Sequence, residues 1–375
     1  MSQSSFIDKL LGGVEVEWRA LREVVKTLTA PAKLKRESYR ETGKTPIIDQ
    51  GEKFITGYTD EDVKALPLGE YVIFGDHSEY IKYVDFSFVQ GADGLKILKS
   101  ISDNPKYVYY AFLNFYQKEL NYKRHWARAS ETLIPIPCPD NPEKSLAIQA
   151  EIVRILDAFT AMTAELTAEL NMRKKQYNYY RDQLLSFDED EVEWKALGKI
   201  AEINTGQKPS EILDTEAEFD YINAGTTRSG FCALSNCEGD TVTTPSRGQG
   251  GIGFVGYQNK SFWLGPLCYK IRSIDNKILI NKYLFYILQS KNQLLLGLKK
   301  EGGVPAVNKS DLAKLEIPVP SITEQERIVE ILDKFDTLAT SIQEGLPREI
   351  ELRQKQYEYY RDRLLSFPKP EESAA

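Results

Sequence analysis

The sequence predicts a mixed α/β protein assembled twice over. Two similar globular domains are separated by two long antiparallel coiled-coil helices, in a pseudo-two-fold internal repeat. The first observation behind this is a literal repetition. Lys174-Lys175-Gln176-Tyr177-Asn178-Tyr179-Tyr180-Arg181-Asp182-Gln183-Leu184-Leu185-Ser186-Phe187 returns as Gln354-Lys355-Gln356-Tyr357-Glu358-Tyr359-Tyr360-Arg361-Asp362-Arg363-Leu364-Leu365-Ser366-Phe367. The second is a fixed offset. Val16-Glu17-Trp18 recurs as Val192-Glu193-Trp194, Lys106-Tyr107 as Lys282-Tyr283 and Ile152-Val153 as Ile328-Val329, each 176 positions on. The third is a helical apolar seam ahead of each copy of the repeated motif. A duplication of so long a period sets the architecture before any local assignment.

The first seam runs Ile148, Ile152, Ile155, Phe159, Met162, Leu166, Leu170, Tyr177, Tyr180, Leu184, mostly in steps of three and four, with Arg173 at the missing step. Such a stripe packs against another helix at coiled-coil angles. The second reads Ile328, Ile331, Phe335, Leu338, Ile342, Leu346, Ile350, Arg353, Tyr357, Tyr360, Leu364. Phe159 to Arg173 spans 14 steps and Phe335 to Arg353 spans 18, so the second copy carries four extra residues. That is about one helical turn, the phase drift of a stutter. The insertion includes Gly345 and Pro347, which are expected to bend or break the second helix. A helix of about 40 residues would be on the order of 60 Å long. With so narrow a stripe neither helix is stable alone, so the simplest partner for each is the other. Pro-rich edges precede both, Ile134-Pro135-Ile136-Pro137-Cys138-Pro139 and Ile317-Pro318-Val319-Pro320, and fix the entry into the helix.

The boundaries expected on this basis are a domain over 1–140, a helix over 141–187, a domain over 188–322, a helix over 323–367 and a disordered tail over 368–375. Within the domains, Tyr71-Val72-Ile73-Phe74, Ile81-Lys82-Tyr83-Val84 and Ile252-Gly253-Phe254-Val255-Gly256-Tyr257 read as strands, and Lys106 to Leu120 and Lys282 to Leu298 as helices. The middles of the two domains differ. Gly57-Tyr58-Thr59-Asp60 through Phe74-Gly75-Asp76-His77 has no close match in the other half. A shared frame around divergent loops is what two modules reading different targets require.

Composition narrows the class. The chain of 375 residues is 42% hydrophobic and 27% charged, ordinary for a soluble globular protein of two or more domains. It has no run of about 18 apolar residues for a membrane span and no leader-like N-terminus. Cysteines at 138, 232, 237 and 268 make no disulfide framework and fit a reducing cytoplasm. The net charge of −7 argues mildly against nucleic acid. Local clustering decides the point, and cations gather in Lys33-Leu34-Lys35-Arg36 and Lys123-Arg124-His125-Trp126-Ala127-Arg128.

Catalytic motifs fail on context. Gly248-Gln249-Gly250-Gly251-Ile252-Gly253 matches a dinucleotide fingerprint, but that fingerprint must follow a strand and open a helix. Here a strand follows, so the glycines read as a turn that brings Arg247 and Gln249 to a ligand. Gly43-Lys44-Thr45 lacks the earlier glycine of a phosphate loop. Cys232 and Cys237, with only His77 and His125 in the chain, read as free thiols rather than zinc ligands. No carboxylate pair, triad or cofactor pocket emerges; the chain reads as a binder. In the repeated helix motif, Leu184, Leu185, Leu364 and Leu365 read as packing. The aromatic and Arg remainder, Tyr177, Tyr180, Arg181, Tyr357, Tyr360 and Arg361, is of the kind that anchors protein interfaces.

Taken in order, the chain is a globular segment, an Ile-Pro-x-Pro edge and a long helix ending in Lys-Gln-Tyr-x-Tyr-Tyr-Arg-Asp-x-Leu-Leu, all repeated. It resembles the specificity subunit of type I restriction–modification systems. The likeness extends through Trp194-Lys195-Ala196-Leu197-Gly198, Asn204-Thr205-Gly206-Gln207-Lys208-Pro209-Ser210, Ser246-Arg247-Gly248-Gln249-Gly250, Gly303-Val304-Pro305-Ala306-Val307-Asn308-Lys309-Ser310-Asp311-Leu312 and, in the first half, Val72-Ile73-Phe74-Gly75-Asp76-His77-Ser78. The resemblance implies two target-recognition domains that each read half of a split double-stranded DNA target, held apart by the helix pair. It also implies docking of two methyltransferase subunits and of restriction subunits. S-adenosylmethionine, ATP and Mg are then expected on those partners, with no cofactor, metal or catalysis on this chain.

Arg pairs with guanine and Gln or Asn with adenine in the major groove, while other cations take phosphates. Candidate contacts are therefore Lys35, Arg36, Tyr39, His77 and Lys82 in the first half. In the second they are Lys208, Asn223, Arg228, Arg247, Gln249 and Lys260. The alternative is a coiled-coil scaffold whose globular domains bind protein, which the acidic pI of 5.3 favours.

Overall fold

The computed structural model describes residues 10–91, 93–188, 190–248, 250–300, 305–340 and 345–367, and the chain divides into two compact units. The first takes the chain to Glu165 and again from Glu351; the second runs from Leu166 to Ile350. Each unit thus holds one globular segment and stretches of both long helices. The tail expected to be disordered over 368–375 lies outside the described residues.

The first unit is built from β1 (Val16–Ala20), α1 (Leu21–Val24), β2 (Val25–Leu28), β3 (Thr45–Ile48), β4 (Gly57–Thr59), β5 (Tyr71–Gly75), β6 (Ile81–Val84), β7 (Val89–Gln90), β8 (Leu95–Ser100), α2 (Pro105–Phe115), α3 (Trp126–Ala129), β9 (Leu133–Pro137) and the start of α4 (Pro142–Leu184). The second contains the end of α4, then β10 (Glu193–Ala196), α5 (Leu197–Ile200), β11 (Ala201–Thr205), β12 (Phe219–Ile222), β13 (Phe231–Cys232), β14 (Thr241–Pro245), β15 (Gly256–Gln258), β16 (Trp263–Leu264), β17 (Cys268–Ser273), α6 (Asn281–Ser290), α7 (Asn292–Gly297), α8 (Lys309–Leu312), β18 (Glu316–Val319) and α9 (Ile322–Thr340). The last helix, α10 (Leu346–Leu364), begins in the second unit and belongs to the first from Glu351.

The two sheet systems are the same. In the first unit they are β2-β8-β5-β6, β4-β3-β7 and β1-β9; in the second, β11-β17-β14-β15, β13-β12-β16 and β10-β18. Even the one parallel pairing is repeated, β3 with β7 and β12 with β16. The middles that share no sequence therefore share a topology. A strand needs only an apolar run or alternation bounded by turns, and β5 meets that need with five buried residues, Tyr71 to Gly75.

Expected elements end where polar partners intervene. Helix α2 starts at Pro105 under an Asn104 cap, whose Oδ1 accepts from the N–H groups of Lys106 and Tyr107. It stops at Phe115, short of Leu120, because the N–H groups of Glu119 and Leu120 turn to the Glu79 carboxylate. The helix expected over Lys282 to Leu298 is α6 and α7, divided at Lys291. The strand expected from Ile252 begins only at Gly256, after a turn with Gly253 at φ +90°.

One polar frame ties each sheet to its long helix. Tyr107 donates to Pro135 O at 2.6 Å, as Tyr283 does to Pro318 O at 3.0 Å. Tyr110 and Lys106 meet Asp157 at 2.7 and 2.8 Å. Tyr286 and Lys282 meet Asp333 in the same way, the lysine at 3.3 Å.

The helices run antiparallel within each unit. Early in α4, Phe159 stacks on Tyr360 of α10, ring centroids 5.0 Å apart; late in α4, Tyr180 stacks on Phe335 of α9 at 5.5 Å. Leu364, Leu365 and Phe367 enter the first core, while Tyr177, Leu184, Leu185 and Phe187 join the second. The repeated motif is thus first a packing device. The seam itself differs in detail: Leu156, outside the expected stripe, is fully buried, whereas Met162 is 39% exposed.

The expected break in the second helix is present. Helix α9 ends at Thr340 and α10 begins at Leu346, with Gly345 at φ +87°. A Cβ there would stand 2.5 Å from Thr337 O and 2.8 Å from Leu338 O. Gly345→Ala should cost at least about 1–2 kcal/mol through the left-handed backbone alone. A lowered Tm in thermal denaturation checks this; an unchanged Tm contradicts it.

Candidate nucleic-acid interface

The sheet frame sets two topologically matched turns at the ends of its third strands, one after β5 and one after β14. In the first unit this turn is Asp76-His77-Ser78-Glu79-Tyr80. His77 is half-buried; its N–H donates to Gln50 Oε1 at 3.1 Å, its Nδ1 lies 3.1 Å from Lys123 O and its ring stacks on Tyr122 at 5.3 Å. In the second unit the turn carries Arg247 and Gly248. Arg247 is exposed and its backbone bridges Ala306, while Gly248 donates its N–H to Pro305 O at 3.1 Å. Gln249 lies outside the described residues.

The remaining candidates separate into outward and inward groups. Lys35 and Arg36 are exposed on a short 3-10 turn; Lys208 and Lys260 are exposed on loops after β11 and β15. Arg228 is exposed but held, 3.3 Å from Asp220 and with its guanidinium 4.4 Å over the Phe231 ring. Tyr39 packs on the cluster of Leu34, Ile47 and Val89. Asn223 caps backbone, accepting from Leu267 N at 2.9 Å.

Lys82 is only 6% exposed, because the alternation of β6 puts it on the inner face with Val84. Its ammonium donates to Asp49 O and Lys53 O at 2.9 and 2.6 Å, which braces the 49–53 loop rather than reaching outward. Burial draws its pKa below the usual lysine value, with the Asp49 carboxylate opposing.

On the helices, Tyr177 is buried and its hydroxyl lies 3.4 Å from Gln289; Tyr357 packs against the first core. Tyr180 and Tyr360 give one ring face to Phe335 and Phe159. Arg181 and Arg361 pair with Asp182 and Asp362 at 2.8 and 2.7 Å. Tyr180 is still 40% exposed, but the most exposed aromatics of the motif are Tyr179 and Tyr359, 62% and 54% exposed. They belong to the repeated motif, and a strict count of the three-four seam would have placed them outside it.

All four cysteines are free thiols, and burial pushes Cys268 up to about 12. Among the described residues no helix is long and apolar enough to cross a membrane.

Known proteins match this arrangement along its whole length. The type I restriction modification DNA specificity domain fits the chain twice, over residues 13–173 and 189–352. The type I restriction enzyme EcoR124I/EcoR124II specificity subunit of Escherichia coli is 45% identical over 99% of each chain. The EcoprrI specificity subunit of Escherichia coli is 35% identical over 92% of this chain and 93% of its own. A putative type I specificity subunit of Haemophilus influenzae is 30% identical over 97% of this chain and 98% of its own. The crystal structure of an S subunit from M. genitalium superposes with TM-score 0.68 at 19% identity, covering 96% of this chain and 98% of that one, so the fold is shared. The type I restriction–modification DNA specificity domain thus matches each half of the duplicated frame, and the chain belongs to that family.

Proposed function

We propose that this chain is the non-catalytic DNA-reading subunit of a cytoplasmic type I restriction–modification complex. Each unit reads one half of an asymmetric, bipartite target in double-stranded DNA, and the long helices set the distance between the halves. Two methyltransferase subunits dock on the repeated helix motifs through the outward Tyr179 and Tyr359 with Arg181 and Arg361, and restriction subunits join that assembly. S-adenosylmethionine, ATP and Mg act on those partners.

The observation that carries the reading is the contrast between frame and turns. Sheet order, polar frame and helix stacking are repeated, whereas the matched turns carry His77 in one unit and Arg247 in the other. Identical frames fit identical partners; different turns fit different bases. A band-shift titration with the methyltransferase partner tests it. Sequence-specific binding that weakens steeply between about 50 and 200 mM salt is expected. Sequence-independent or salt-insensitive behaviour would return the chain to the scaffold alternative.

A further inference from the structure

The basic run at 123–128 spans the start of α3 and the end of a surface loop, residues 117–125, that follows α2 and has no strand or helix of its own. Buried groups hold it from beneath. The Glu79 carboxylate, only 2% exposed, accepts from Tyr116 Oη at 2.6 Å and from the N–H groups of Glu119 and Leu120 at 2.9 and 2.8 Å. Asp76, 5% exposed, accepts at Oδ1 from the N–H groups of His125 and Trp126 at 3.0 and 2.8 Å. His125 is fully enclosed. Its Nε2 lies 2.8 Å from Asn121 O, and its Nδ1 is 3.4 Å from Glu79 and 3.3 Å from Glu119. Both Glu79 and Leu120 occupy the left-handed region, at φ +57° and +56°. Backbone of this kind persists only where its surroundings over-determine it, and it gathers at functional sites.

What this base supports is a tip left in solvent. Leu120 and Tyr122 are 85% and 90% exposed, and Tyr122 lies flat on His77. Lys118 lies over the Tyr80 ring and Lys123 and Arg128 both turn onto Glu119, whereas Arg124 is exposed at the tip beside Tyr122. A pinned loop with an exposed aromatic tip is hard to explain by packing. The second unit makes the same juxtaposition by other means. There the stretch after α7 returns at Pro305–Val307 to pair with Ser246–Gly248, just as His125 N bonds Asp76 O at 2.8 Å in the first. Both units therefore set a post-helix loop beside the turn after the third strand of the four-stranded sheet.

We propose that residues 117–125 form the second half of the first unit's reading edge, with Tyr122 against base edges and Arg124 on a phosphate of the half-site that His77 faces. The inference rests on the DNA-reading role proposed above. Asp76, Glu79 and His125 are positioning residues for the loop. Aromatic and methyl contacts at base edges discriminate between sequences, whereas a phosphate contact adds affinity without discrimination.

The test uses the complex of this chain with its methyltransferase partner, titrated on duplexes carrying the methylated target and single-base variants of each half-site. Tyr122→Ala should reduce discrimination roughly tenfold at base pairs of one half-site and leave the other half-site unchanged. Arg124→Ala should weaken binding to all duplexes alike and make the logarithmic salt slope shallower by about 1. Both side chains are exposed, so an unchanged Tm accompanies these effects. Unchanged discrimination by Tyr122→Ala, in a complex whose wild-type form discriminates, overturns the proposal and leaves the DNA-reading role standing. A wild-type complex with no discrimination removes both.

Discussion

Exchanging residues 190–322 for the corresponding segment of a relative will change one half of the recognised target and leave the other half as it was. The segment carries a complete sheet system, β11-β17-β14-β15 with β13-β12-β16 and the β10-β18 pair. Its underside is fixed by residues outside it: Tyr177, Leu185, Ile328 and Leu332 pack into the cluster that holds Tyr283, Leu284 and Ile287. An exchange that keeps Lys282 and Tyr286 in the insert meets Asp333 as before. The chimera should therefore fold with its first unit untouched. Each mismatched base pair costs about 1–3 kcal/mol, so several in one half-site lower affinity for the old target by orders of magnitude. Methylome sequencing of a host carrying the chimera reads the result. A change in both half-sites, or in neither, would show that the units do not read independently.

How much of this was legible beforehand follows from what kind of signal each feature leaves. The duplication, the two seams and the break at Gly345 were visible because they depend on residue identity at fixed spacing. The equivalence of the two middles was hidden, since β12 and β3 share a topology without sharing residues. A basic residue in an alternating strand looks solvent-facing, and the burial of Lys82 is tolerable through the carbonyls of Asp49 and Lys53, which no local pattern announces. Tyr177 reads as an interface anchor by residue type, yet it shares the seam's stripe with Leu184, and that stripe buries it. The sequence extends the helix that begins near Lys106 to Leu120, into a loop that starts at 117. What stops the helix short is Glu79, some forty residues earlier in sequence, and no local pattern reports it.

The strongest stability test lies at a matched pair the seams pass over. Gln149 and Gln325, 176 positions apart, are both fully buried near the start of a long helix. Gln149 accepts from Asn104 N at 2.8 Å and donates to Asp103 Oδ1 and Ser145 Oγ at 2.8 and 3.1 Å. Gln325 accepts from Ile280 N at 2.9 Å and donates to Ile278 O and Pro320 O, both at 2.9 Å. Asn104 and Ile280 are the N-cap residues of α2 and α6, so each amide locks the chain as it enters the helix beneath the sheet. Truncation to Ala strands the cap N–H in a dry site and opens a cavity. Gln149→Ala and Gln325→Ala should each cost about 2–4 kcal/mol. A Glu replacement at 149 adds a pH-dependent readout. At 149 a carboxylate would face Asp103 Oδ1 where an amide N–H₂ now donates, so its ionised form is disfavoured and its pKa is raised in the folded state. The penalty of Gln149→Glu relative to wild type should then be smallest below about pH 4.3, where the carboxyl is protonated in both states, and should grow as pH rises through that unfolded value. Hydrogen exchange gives the local readout: the Asn104 amide loses protection in Gln149→Ala and the Ile280 amide in Gln325→Ala. Retained protection at those two amides would mean that the glutamines do not hold the helix entries, and the repeated frame would lose its most buried link.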